Sequence, residues 1–149
     1  MAAAGLIARS TTRRHRDMLL ISLAVIALAG LLEVRADQRV FVRGFPAWPL
    51  PEMCASRTWL HVECPGCGLT RSFVYLAHSD LNASWRMHRL GWLLALAVVA
   101  QLPYRLLGLA TGNSAPLGTT FPRLCAWTLV VLLLVNWLVN LLARFAANL

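Results

Sequence analysis

The sequence predicts an all-α membrane protein: three transmembrane helices, one or two short interfacial helices, and a cysteine-knuckle loop between the first two spans. Three observations carry that expectation. Hydrophobic residues fill 58% of the 149 positions and charged residues only 13%, with a mean hydropathy of +0.62, far from the balance of a soluble domain. The apolar residues gather in three long runs, separated by stretches rich in Arg, Pro and Gly. The chain is also too short for two ordinary domains, so the runs belong to one unit.

Residues 1–17 read as a basic N-terminal tail ending Arg13-Arg14-His15-Arg16-Asp17, lying on lipid headgroups. Residues 18–34 form the first span, apolar except for Ser22, Gly30 and Glu33, short against the ~20 residues that cross a bilayer. A basic start, an apolar middle and the small Ala27 and Ala29 also suit a signal peptide. No clear small-x-small site precedes Arg35, so a retained helix is expected.

Residues 35–80 form the knuckle loop. The segment from Arg39 to Arg43 is at most a short extended piece, and Pro46, Pro49 and Pro51 favour polyproline-like backbone. Pro51 can open a short helix through Cys54 toward Thr58. Phe45, Trp48 and Trp59 suit the headgroup level. After the cysteines, Leu69 to Ala77 reads as an interfacial helix, too short to span. Asp80 then caps a helix over residues 81–110, expected to run without interruption into the second span with Leu81, Trp85, His88 and Trp92 on one face. Gln101, Pro103 and Arg105 make its far end polar or kinked. Residues 111–123 are a loop by their turn residues. Residues 124–143 form the clearest span, and 144–149 a tail. Asn136 and Asn140 on that last helix, sharing a stripe with Cys125 and Thr128, suggest packing between helices.

The basic residues number fourteen, all of them Arg, a usage that points to a GC-rich bacterial genome. The net charge of +8 is spread among apolar segments rather than gathered on a soluble face, so the expected partner is the lipid bilayer and its anionic headgroups, not nucleic acid. Other membrane-protein subunits are a further possible partner. With the N-terminus inside, Arg9, Arg13, Arg14, Arg16, Arg105 and Arg123 share the inner side, and the remaining eight arginines lie outside. The positive-inside rule weighs short loops and the first helix most heavily. The reading is a multi-pass protein of the bacterial plasma membrane with a cytoplasmic N-terminus.

The chemistry concentrates at Cys64-Pro65-Gly66-Cys67-Gly68-Leu69-Thr70-Arg71, with Cys54 ten residues upstream. Pro65 fixes a turn, and Gly66 and Gly68 permit positive φ, so backbone N–H groups can point at the sulfurs. This is the turn chemistry of thiolate knuckles. Cys54, Cys64 and Cys67 with His88 make a candidate metal set, zinc being the ion such donors suit; His61 and His78 are alternative fourth ligands. A disulfide or reduced structural thiols remain open alternatives. Arg71, set unfavourably at a helix start, calls for a partner such as a thiolate, a lipid phosphate, Glu63 or Asp80. No catalytic triad, Walker loop, dinucleotide fingerprint or intramembrane acid pair is present, which leaves the common enzyme classes without support. The leading function is a membrane protein holding a metal ion at the membrane surface. The alternatives are a thiol–disulfide exchange protein, or a structural subunit of a membrane complex whose cysteines staple a loop.

Cys54, Cys64-Pro65-Gly66-Cys67-Gly68, Thr70-Arg71 and Asp80 together resemble a bacterial multi-pass membrane-protein family of unknown function. That family has a cysteine, then some ten residues later Cys-Pro-x-Cys-Gly-x-Thr-Arg, a short apolar helix, Gly-Asp, and a helix opening with Asn-Pro or His-Pro. The resemblance covers roughly residues 54–94. Ser79 stands where the family commonly has Gly, and Arg89 follows His88 where Pro is usual. The resemblance implies an extracytoplasmic cysteine motif.

Overall fold

The computed structural model describes residues 2–35, 37–50, 64–113 and 115–147. Among them the chain is mostly helical, with five helices and one small sheet. The order is α1 (Ala2–Leu31), β1 (Leu32–Val34), β2 (Val40–Val42), β3 (Phe45–Pro49), α2 (Leu69–Ala77), α3 (Leu81–Met87), α4 (Gly91–Thr111) and α5 (Thr120–Ala147). Two of the helices, α4 and α5, are long and apolar enough to cross a membrane, and almost none of that surface is buried inside the protein.

The N-terminal segment differs from the tail expected for it. It is helical from Ala2 and continuous with the first apolar run. Alanine and arginine are strong helix formers, and the Arg13–Asp17 pair, at 3.9 Å, spans one turn. The apolar part of α1 is correspondingly short. The helix closes at Leu31, so residues 18–31 cover about 21 Å at 1.5 Å per residue.

Residues 32–34, expected to finish that span, leave the helix and pair as β1. The sheet is an antiparallel meander in the order β1-β2-β3, with Glu33 opposite Phe41. It corrects the purely helical expectation. Pro46 and Pro49 fit it because β3 is an edge strand, where a missing N–H costs no ladder bond. Gly44, at φ 90°, makes the turn from β2 to β3. Phe41 is buried, and the Arg35 guanidinium lies 4.8 Å from its ring centre.

α1 and α4 lie side by side and antiparallel. His15, in the first half of α1, meets Gly108 near the end of α4. At the opposite end, the His78 Nε2 hydrogen-bonds the Leu32 carbonyl at 2.9 Å. There α2 packs against α1, α3, α4 and β1. The pair therefore separates two ends: one bearing the arginine-rich start of α1, the other the sheet, α2, α3 and the cysteine turn. Pro103 removes one helical hydrogen bond from α4, yet α4 continues to Thr111, where Gly112 in the left-handed region closes it. No comparable packing ties α5 to another described element.

Candidate functional site

The cysteine turn is built from a few short bonds. The Cys67 N–H donates to the Cys64 carbonyl at 3.0 Å, and the Leu69 N–H to the Gly66 carbonyl at 3.1 Å. The first bond closes a tight turn that brings the two cysteine Cα atoms within about 7 Å of each other. Both cysteines are half-buried. Gly68 follows with φ 89° and starts α2, its carbonyl accepting from the Ser72 N–H at 2.9 Å. A Cβ at Gly68 would lie 2.7 Å from the Met87 carbonyl oxygen. Glycine is required there twice over, for the backbone angle and for the close approach of α3.

The expected uninterrupted helix over residues 81–110 is broken at His88. That residue is extended, with φ −153° and ψ 115°, and ends α3. Its ring accounts for the break, because the Leu90 N–H donates to Nδ1 at 3.2 Å, a local bond that competes with helix continuation. With Nδ1 accepting, Nε2 carries the proton and donates to the Pro65 carbonyl at 3.1 Å. His88 is thus buried under the cysteine turn rather than aligned with Trp85 and Trp92, which are exposed.

Beneath the turn, Ser72 of α2 and Ser84 of α3 share a hydrogen bond of 2.7 Å and are almost wholly buried. Gly91 at the start of α4 makes room for them, since a Cβ there would fall within 2.8 Å of Ser72 Cβ and closer still to its hydroxyl. No buried side-chain nitrogen or oxygen among the described residues lacks a hydrogen-bond partner.

α2 ends in a Schellman motif: the Asp80 N–H donates to the Tyr75 carbonyl at 2.9 Å and the Ser79 N–H to the Leu76 carbonyl at 3.0 Å. Ser79 takes the left-handed position at φ 64°. Asp80 then caps α3, accepting from the Ala83 N–H at 2.9 Å. Arg71 stands half-buried in the first turn of α2, and Thr70 is exposed beside it. Among the described residues Arg71 forms no ion pair, and the Asp80 carboxylate serves the cap instead.

Of the residues expected to share a metal, the structure places Cys64 and Cys67 on one turn and His88 against Pro65 between them. Cys54 and His61, with the short helix expected around Cys54, lie outside the described residues. His78 is engaged at β1, and Cys125 is exposed on α5. Among the described residues no group of three or more His, Cys, Asp or Glu side chains is placed to hold a metal ion. Sequence reasoning passed over Ser72, Ser84 and Gly91. Their signal was two hydroxyls and a glycine at positions that the short helices and the start of α4 turn toward one another.

Residues 54–102 match the model of a protein family of unknown function, DUF2752. The matched stretch runs from Cys54 through the cysteine turn, α2 and α3 to the middle of α4. No curated protein and no solved structure matches the chain.

Proposed function

We propose that this chain is an integral protein of the bacterial plasma membrane, crossing it three times with its N-terminus in the cytoplasm. In this reading Cys64, Cys67 and Cys54 form a thiolate site at the membrane surface for a soft divalent ion such as zinc. The third span is α1. It lies antiparallel along α4 with Leu20, Ile21, Leu23 and Leu28 exposed, a surface suited to lipid. The orientation follows from the arginines at the start of α1.

One observation carries the metal reading: the turn closed by Cys67 N–H and the Cys64 carbonyl, fixed from below by His88. A Cys-x-x-Cys turn of this kind presents two thiolates on one side, and zinc favours such donors. Both ring nitrogens of His88 already serve backbone groups, so it acts as the positioning residue of the turn, and Cys54 supplies the third sulfur. The partial exposure of Cys64 and Cys67 favours a second reading, in which the pair exchanges disulfides with a partner and Cys54 resolves the mixed disulfide.

The test is metal analysis of full-length protein purified in detergent without chelator, with thiol titration in parallel. Stoichiometric zinc, lost to a similar extent in Cys54→Ser, Cys64→Ser and Cys67→Ser, is the expected result. Metal-free wild type with Cys64 and Cys67 oxidised together overturns it. Exchange is then the surviving reading, and Cys54→Ser, which lacks the resolving thiol, should trap a mixed disulfide visible on a non-reducing gel.

A further inference from the structure

The other end of the α1–α4 pair holds a second polar cluster, one that the cysteine chemistry does not use. His15 is 2% exposed, and its ring is pressed so closely on Gly108 that a Cβ there would lie 2.6 Å from it. Tyr104 flanks the ring, with centroids 6.4 Å apart. Arg105 is fixed by three uncharged partners. Its Nε donates to Gln101 Oε1 at 3.0 Å, its Nη1 to His15 Nδ1 at 3.4 Å, and its guanidinium stands 5.2 Å from the Tyr104 ring centre.

A guanidinium carries five N–H donors, and these two bonds leave three of them available. Arg14 precedes His15 on α1, so a second cation stands one residue from the ring that holds Arg105. Asp17, the acid closest in sequence, sits beside Arg13 at 3.9 Å and Arg16 at 3.8 Å. Among the described residues no carboxylate pairs with Arg14 or Arg105. Two neighbouring cations, one half-buried and oriented by neutral groups, call for an anion. Arginine forks match phosphate oxygens. The cluster also lies where the apolar part of α1 begins and α4 nears its end, the level of lipid headgroups.

We propose that Arg105, held in place by His15, Tyr104 and Gln101, and Arg14 form a phosphate-binding site where the apolar part of α1 begins. The phosphate is either the diester of an anionic phospholipid or free phosphate. The proposal is independent of what the cysteine turn binds.

The experiment titrates full-length protein in mild detergent with phosphatidylglycerol, with diacylglycerol, which lacks the phosphate, and with inorganic phosphate. Native mass spectrometry and thermal stabilisation give the readout. Phosphatidylglycerol should bind more tightly than diacylglycerol, and Arg105→Gln and Arg14→Gln should each weaken it about five-fold, the effect of one arginine near an anionic headgroup. Arg13→Gln, removing the same charge from the same helix beside Asp17, should leave binding unchanged. Stabilisation by inorganic phosphate that both variants lose supports a soluble ligand, and silence toward inorganic phosphate supports the lipid. Arg14 is exposed, so its replacement keeps the test valid should Arg105→Gln misfold. Equal binding of phosphatidylglycerol and diacylglycerol, or an equal loss in Arg13→Gln, overturns the proposal.

Discussion

The two ends of the α1–α4 pair each bury a histidine beside a glycine of α4, and the chemistry around the two rings is opposite. His88 gives both nitrogens to backbone groups, Pro65 and Leu90, so its bonds serve the shape of the cysteine turn and of the α3–α4 break. His15 offers its Nδ1 to a cation, Arg105, which keeps three further donors available. One ring completes a closed network; the other orients an open one. Burial alone does not tell a structural histidine from one that serves a ligand. The partners do.

The largest predicted effect tests the packing on which that contrast rests. Gly91→Ala should cost about 3 kcal/mol, because the added methyl meets the Cβ as well as the hydroxyl of Ser72, and α2 cannot retreat without releasing Ser84. Gly108→Ala meets only the His15 ring on a neighbouring helix and should cost about 1 kcal/mol. Thermal unfolding in detergent measures both. Equal costs would mean that the two glycine contacts are equally rigid, and the comparison would fail.

His88→Ala should cost about 2 kcal/mol, through two lost hydrogen bonds and two backbone groups left without them. It should also speed alkylation of Cys64 and Cys67 in protein stripped of metal, since the turn loses its support. His15→Ala, roughly 25 Å away along α4, should leave the alkylation rate unchanged. A similar acceleration in both variants would show the two ends to be coupled.

The smallest effect is of opposite sign. Ser79 occupies a left-handed position that costs a residue with a Cβ about 1 kcal/mol, so Ser79→Gly should raise the unfolding temperature in detergent. A drop would mean that the serine side chain contributes something beyond the Schellman turn.

How much of this was legible in the sequence depends on the kind of signal. Hydropathy marked α4 and α5 because long apolar runs need no partner to declare themselves. Asp80 declared its cap, since carboxylates at helix starts have a local reason to be there. The break at His88 was not legible, because it depends on a ring nitrogen accepting from Leu90 and on a carbonyl far back in the chain. The sheet was missed because the prolines of β3 argue against a strand until its place at the sheet edge is known. The basic cluster was missed because His15 and Arg105 are ninety residues apart, and only the antiparallel packing of α1 on α4 joins them.

In the proposed three-span arrangement, the spacing of charged residues along the helices gives the molecule a hydrophobic belt of unequal height. On α5, Arg123 and Arg144 bracket about 31 Å of helix. From the start of α4 at Gly91 to Arg105 is about 21 Å of helix, and the apolar part of α1, residues 18–31, covers a similar length. The hydrocarbon of a typical bilayer is about 30 Å thick, which suits α5 and overshoots the pair. In that arrangement lipid flanking α1 and α4 would be compressed relative to lipid flanking α5, unless Arg105 is drawn below the headgroup plane. Either adjustment pulls phosphate inward toward the Arg105 side chain, and the strain falls on one flank of the molecule only.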